Sequence, residues 1–229
     1  MKILSVNKNI EYGAISIVNI SEDILIDRFD IETFDYIIVS GGDGTVRRVV
    51  KILQSLNCYI PIILNPTGSF NVVAKLHNVP PLDLVLNSLV QKNTLVTKTI
   101  NYYSLNEEVF LFSAGNMGDL QHIFLSETFR FSILKKGMAK YILALLFLFP
   151  MHLVMTPFML LSSRKFFIFT PTYFMPKIGS FRSKVSKPFA IDLKNRYNLI
   201  ELDGDLVTIN DSILNIKVAG VVELVTKIV

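Results

Sequence analysis

The sequence predicts an α/β domain followed by a mainly antiparallel β domain, and three observations carry that reading. Between Phe34 and His77, two short apolar runs each lead through a glycine loop into a helical pattern. After Lys98 the pattern changes to consecutive short strands. Hydrophobic residues make up 51% of the 229 positions and charged ones 18%, enough to bury one large or two small cores. The boundary is expected near Lys98, which gives domains at 1–98 and 99–229.

Met1 to Val6 reads as a first strand and Ala14 to Ile20 as a second, with a turn at Tyr12-Gly13. Asp23 to Phe29 fits either a helix or a strand. Asp35 to Ser40 is a strand, Gly41-Gly42-Asp43-Gly44-Thr45 a loop, and Val46 to Leu56 a helix with Val46, Val49, Val50, Ile52, Leu53 and Leu56 on one broad face. Tyr59 to Leu64 repeats the scheme, with a loop at Asn65-Pro66-Thr67-Gly68-Ser69 and a helix from Phe70 to His77. Runs with no polar face suit strands buried on both sides, as in a parallel sheet. A right-handed crossover then puts both loops at the same carboxyl edge. Glycines there let the backbone approach an anion closely, so Gly41, Gly42, Gly44 and Thr45 with Thr67, Gly68 and Ser69 form one phosphate site from two halves. Asp43 repels a phosphate. Its natural partner is a donor or a cation, most simply the magnesium of a nucleotide.

At these residues the sequence resembles a known family. Gly41-Gly-Asp-Gly-Thr and Pro66-Thr-Gly-Ser-Phe-Asn-Val-Val-Ala look like the paired GGDGT and P-x-GT-x-N-x-x-A signatures of the diacylglycerol kinase catalytic-domain family, which includes sphingosine, ceramide and bacterial lipid kinases. NAD kinases share the first motif, whereas the second reads as the lipid-kinase version. The resemblance implies a nucleotide-binding α/β domain of NAD kinase/diacylglycerol kinase type over 1–98 and a β-rich lipid-substrate domain over 99–229. It also implies transfer of the ATP γ-phosphate, with Mg2+, to the hydroxyl of a diacylglycerol-like or sphingoid lipid. Asn71 joins the nucleotide-binding set on the same ground. The leader is shorter than the family's, and Asn7 alone stands where an Asn-Pro-x-Ser-Gly motif is usual.

Beyond the second loop, Leu82 to Val90 reads as a helix after Pro80-Pro81. Thr94 to Leu105 and Glu108 to Ser113 read as antiparallel strands joined by Asn106-Glu107. Ala114 to Asp119 is a turn, with Gly115, Gly118 and Asp119 matching a family segment beside the cleft, and Leu120 to Glu127 is helical. Gly137 and Tyr141 match a further helix motif, over Met138 to Phe149. Tyr141 to Ser163 carries no formal charge and is long enough to span a membrane. Pro150, His152 and Pro157 interrupt it, which favours a buried or membrane-surface helix pair over a span. The following stretch, with Lys177, Arg182, Lys184 and Lys187, is either a solvated loop or a lipid headgroup contact.

Phe189 to Leu193, Leu199 to Leu202, Ile213 to Val218 and Val221 to Ile228 read as strands. Taken alone, Asp203-Gly204-Asp205 is a hairpin turn. The resemblance makes it the counterpart of an Asp-Gly-Glu motif facing the acceptor hydroxyl and the magnesium. Asp203 is then the expected proton acceptor, Asp205 a metal-shell partner, and Asp43 the third catalytic and metal-holding residue. Where the family carries an acid after GGDGT, this chain has Arg47-Arg48. That charge either strengthens phosphate binding or marks a degenerate member that binds lipid or nucleotide without transfer. A soluble NAD kinase-like enzyme is the least favoured alternative.

A formal charge of +4 and a pI near 9.1 on an apolar chain point to an anionic membrane surface as partner, and no nucleic-acid-reading motif is present. The single Cys58 excludes an intramolecular disulfide and fits a reducing compartment. No signal peptide is apparent, so the expected location is cytoplasmic with peripheral membrane association. His77, His122 and His152 lack metal-ligand spacing. Nothing in the sequence fixes the oligomeric state.

Overall fold

The structure is a computed structural model that describes residues 1–27, 30–116, 142, 146, 149–150, 153–154, 157–172 and 177–229. The expected helix Leu120–Glu127, the segment from Met117 to Asp119, the Gly137–Tyr141 motif, His122 and His152 lie outside the described residues. The chain forms two units, Met1–Tyr102 with Ala219–Val229, and Tyr103–Val218.

The first unit is built on strands β1 (Lys2–Val6), β2 (Ser16–Ile20), β3 (Tyr36–Gly41) and β4 (Ile62–Pro66). Next to β4 lies the end of a long strand, β14 (Ile213–Ile228), and next to that the start of β5 (Leu95–Leu105). As expected, β3 and β4 are parallel neighbours, with Ile37 opposite Ile62 and Gly41 opposite Pro66. That register sets both glycine loops at one edge of the sheet. The pairing of β1 with β2 is also parallel. A tight Tyr12-Gly13 hairpin would have made it antiparallel, but the connection instead climbs back along β1, tied down by Asn19, whose side chain bonds both the N–H and the carbonyl of Ile10.

Among the described residues this sheet is accompanied by the α-helices α1 (Glu22–Leu25), α2 (Asp43–Ser55), α3 (Val72–Leu76) and α4 (Leu82–Val90) and a 3-10 turn at Ile31–Thr33. The undecided Asp23–Phe29 stretch is helical to Leu25 and turns at Ile26 and Asp27. Helix α2 buries Val46, Val49, Val50 and Leu53, the face its periodicity predicts. Helix α4 buries Val85 and Leu86 in a cluster with Ile3, Ile38, Ile63 and Val225. Each such side chain withdrawn from water contributes about 1.5–3 kcal/mol. The two faces of β14 are both buried here, at Leu224 and Val225, as a central strand requires.

The second unit holds two short strands where one was expected. Glu108–Phe110 (β6) pairs with β5, whereas Ser113–Gly115 (β7) joins a different sheet of order β13-β12-β7-β8-β10-β9. In that sheet β8 is Phe167–Phe169, β9 Lys177–Ile178, β10 Phe181–Arg182, β12 Asn198–Leu202 and β13 Asp205–Ile209. Strand β11 (Phe189–Asp192) pairs with Ile213–Ile216 of β14. Phe110, Phe166, Ile168, Ile200, Leu202 and Leu214 are the heart of its core. The described residues from 142 to 161 are helical.

The expected strands Ile213–Val218 and Val221–Ile228 are one continuous strand. Gly220, between the two expected strands, is where the backbone passes the ring of Tyr102; a Cβ there would sit 2.9 Å from Tyr102 Cε1. Truncation after Val218 should therefore strip a central strand from the first unit. The expected outcome is loss of cooperative thermal unfolding. A truncated chain that unfolds as sharply as the whole one would show that β14 is dispensable.

Candidate functional site

Helix α2 begins at Asp43, with Gly42 as its extended N-cap (φ −92°, ψ −173°), so Asp43, Gly44 and Thr45 form the first helical turn and not a loop before it. An acid in a first turn complements the helix dipole. As in any first turn, the N–H groups of Gly44 and Thr45 lack an acceptor one helical turn back. Thr45 packs over Gly41, where any Cβ would overlap its side chain.

The second loop is braced from within. Asn71 adopts a left-handed conformation (φ 50°). Its Oδ1 accepts the Gly68 N–H at 3.0 Å, and its Nδ2 donates to the Gly68 carbonyl at 2.7 Å. Asn71 thus shapes the loop. Thr67 N–H donates to the Gly41 carbonyl at 3.0 Å, tying one loop to the other. The loops touch where side chains are missing: a Cβ on Gly68 would lie 2.5 Å from the Gly42 Cα.

Asp43 completes the connection. Its Oδ2 accepts the Val72 N–H at 2.8 Å and its Oδ1 the Val73 N–H at 2.9 Å, so a side chain from the first turn of α2 caps the helix that follows the second loop. The carboxylate is buried, and burial pushes its pKa up; the Val73 and Val72 donors and the charge of Lys75 pull it back.

Arg48 is held by Glu22, through Nε to Oε1 at 2.5 Å and Nη2 to Oε2 at 3.2 Å, while Nη2 also lies 3.3 Å from Thr45 Oγ1. Asn7 meets the same acid: its Oδ1 accepts the Glu22 N–H at 2.9 Å. Asn7, Glu22, Arg48 and Thr45 therefore form a chain from the end of β1 to the first loop. Sequence reading missed Glu22, because only folding brings it beside Arg48. Arg47 is buried.

The remaining expected residues lie in the second unit. Asp203 (φ 50°) and Gly204 (φ 92°) form the two-residue turn between β12 and β13. Asp203 is 2% exposed. Its Oδ2 accepts the Leu111 N–H at 2.6 Å, and its Oδ1 those of Phe112 and Ser113, each at 2.9 Å. Glu201 accepts from the Gly204 N–H and from Ser113 Oγ. Burial pushes Asp203 up to about 7; the three N–H donors oppose that rise and the charge of Glu201 adds to it. The expected proton acceptor is thus enclosed by backbone donors, whereas Asp205 is half-exposed.

Among the described residues no group of three or more His, Cys, Asp and Glu could hold a metal ion. With both Asp43 oxygens turned to amides, the donor set does not form a resident magnesium cage. What suits this edge to a nucleotide phosphate is the N-terminus of α2, whose first-turn N–H groups lie where the two glycine loops meet.

Three outcomes follow from this geometry. Asp43→Asn leaves one α3 amide facing an NH2 group and should lower stability by about 1–3 kcal/mol, and Gly68→Ala should force the loops apart; unfolding midpoints indistinguishable from wild type would remove both inferences. Asp203 holds its proton up to about pH 7 when folded but loses it near 3.8 when unfolded. Its contribution to stability therefore rises as pH falls from about 7 to about 4 and is lost as pH rises through that window. Asp203→Asn should flatten this slope, read as the difference in thermal midpoint between the two proteins at each pH.

Residues 14–101 match the family model for the diacylglycerol kinase catalytic domain. No curated protein matches the sequence. A structure described as a diacylglycerol kinase of Bacillus anthracis str. Sterne is 12% identical and overlays with a TM-score of 0.55, covering 99% of this chain and 97% of that one. A second such structure from the same organism is 11% identical, with a TM-score of 0.54 and the same coverage. An NAD kinase from Archaeoglobus fulgidus in complex with ATP is 13% identical and covers 99% and 94% of the two chains, at a TM-score of 0.46, too loose an overlay to bear on activity. At these identities the likeness is one of fold. Through the paired glycine loops, the matched segment that contains them and the fold around them, this chain resembles the diacylglycerol kinase catalytic-domain family.

Proposed function

We propose that the chain is a lipid kinase that transfers the γ-phosphate of ATP to the hydroxyl of a diacylglycerol-like or sphingoid lipid. The observation that supports this most is the Asp43 clamp, which fixes two glycine loops against each other inside the segment matching the catalytic domain. Bound there, ATP supplies the phosphoryl group. Gly41, Gly42, Gly44 and Thr45 would present backbone donors to its phosphates, with Ser69 adding a hydroxyl and Asn71 holding the second loop in shape. Magnesium enters as the nucleotide's counter-ion, and no step is assigned to it.

Of the two C-terminal acids, Asp205 is the better candidate to accept the lipid hydroxyl's proton, because it is half-exposed while Asp203 is enclosed. Asp203 would instead position the turn that carries Asp205. The lipid reading also suggests peripheral membrane contact in the cytoplasm, through exposed apolar side chains such as Leu153 and Phe158 and the chain's excess positive charge. Among the described residues no helix is long and apolar enough to cross a membrane.

Transfer of labelled phosphate from ATP in mixed micelles tests the proposal across diacylglycerol, sphingosine and ceramide, with NAD as control. Incorporation into at least one lipid is expected. Labelling of NAD alone would overturn the lipid reading, and nucleotide binding without any transfer would identify a degenerate member. General-base contributions run to about 10²–10⁴-fold, so Asp205→Asn should lower kcat by that order. Equal turnover in the Asp205→Asn protein would return the role to another group.

A further inference from the structure

A cavity of about 500 Å³ lies wholly within the second unit, away from the glycine loops in sequence and lined by residues between 160 and 194. Its size falls within the range of small-molecule sites, roughly 300–1,000 Å³. Four cations border it, Lys165, Lys177, Arg182 and Lys194, against the single carboxylate of Asp192. That carboxylate is already engaged, since Lys194 binds it and holds its pKa down. Lys165 donates to the Asn116 carbonyl oxygen, at 3.0 Å, and makes no ion pair among the described residues. Arg182 lies over the Phe189 ring, 4.1 Å from its centroid. Lys177 makes no ion pair among the described residues. Three positive charges therefore border one cavity, and among the described residues none of them is paired with an acid.

The wall is built, not incidental. Gly179 (φ 57°) packs on the Leu160 carbonyl oxygen so tightly that a Cβ would overlap it. Ser180 donates through its N–H to Leu160 O at 2.9 Å and through Oγ to Met159 O at 2.8 Å. The β9–β10 turn thus caps the end of the helical stretch and fixes the cations beside it. At the rim the surface becomes apolar: Leu161, which lines the cavity, is 85% exposed, and Phe158, one turn earlier, is 67% exposed.

We propose that this cavity binds the phosphate of an anionic phospholipid headgroup, with Leu161 and Phe158 meeting the acyl region around it. Unneutralised cations call for a phosphate, the volume calls for more than a bare ion, and the apolar rim favours a lipid over a soluble phosphate. The inference rests on the reading of the chain as one that works at a lipid surface. It assigns a second lipid contact, distinct from the phosphoryl acceptor.

The test uses the whole chain without nucleotide, so its failure leaves phosphoryl transfer untouched. Binding to phosphatidylcholine vesicles containing phosphatidylglycerol is measured against phosphatidylcholine alone, with sn-glycerol 3-phosphate and inorganic phosphate as soluble probes. Two variants are compared: Lys165→Gln/Lys177→Gln removes two charges from the cavity, and Lys184→Gln/Lys187→Gln removes two exposed ones from the same stretch outside it. At about 1 kcal/mol per basic group near the surface, the cavity pair should weaken anionic-vesicle binding about tenfold or more, and the control pair far less. Equal losses would mean diffuse attraction and overturn the site. So would no preference for anionic vesicles, or saturable binding of the soluble phosphates with none to vesicles. If the double variant fails to fold, Lys177→Gln alone, at an exposed position, carries the same comparison.

Discussion

Two backbone amides donated to one carboxylate decide how the first unit is put together at its loop edge. Asp43 is spent on Val72 and Val73, and the turn that Asn71 makes in its left-handed conformation is what brings those amides within reach. The Gly42–Gly68 approach depends on the same arrangement, because loops held this closely leave no room for a Cβ between them. A buried charge of this kind is tolerated when its oxygens are hydrogen-bonded, and here both are. The second unit repeats the device independently: Asp203 gathers three consecutive amides and fixes the approach to β7 against the β12–β13 turn. In each unit an aspartate beside a glycine organises backbone from a distant part of the chain.

That double use of aspartate explains what the sequence could and could not reveal. The parallel β3–β4 pair and its two loops were legible because each piece is local: an apolar run, a glycine turn and a helical period lie within a few dozen residues. The apolar face of α2 was legible for the same reason. Asp203 was visible as a turn residue, but its burial was not, since its partners at Leu111 to Ser113 stand about ninety positions away and nothing local distinguishes an inward-turned aspartate from an outward one. The Glu22 grip on Arg48 was hidden in the same way.

Glycine misled in one place and informed in others. Gly220 reads as a strand break by propensity, yet tertiary context overrides it: the residue is small because a tyrosine ring passes by, and the strand runs on. Gly41, Gly42 and Gly68 were read as room for a ligand, and part of that room is taken by the protein itself, by Thr45 and by the facing loop. The uncharged run from Tyr141 to Ser163 kept its ambiguity in sequence because a run without charges serves a core, an interface or a bilayer equally well.

The single strand β14 also sets a timetable. Its last residues fill the place beside β4, while β1 to β4 lie within the first sixty-six positions. During synthesis those early strands leave the ribosome with one flank of β4 bare, and the whole of the second unit must follow before the missing neighbour arrives. Contacts of such sequence separation form slowly, because a long loop must close before any of them is rewarded. A nascent chain in this state carries an open, apolar strand edge for the time it takes to make well over a hundred residues, the condition under which partly made chains stick to one another. Chaperone capture of the growing polypeptide would therefore matter more for this protein than its modest length suggests.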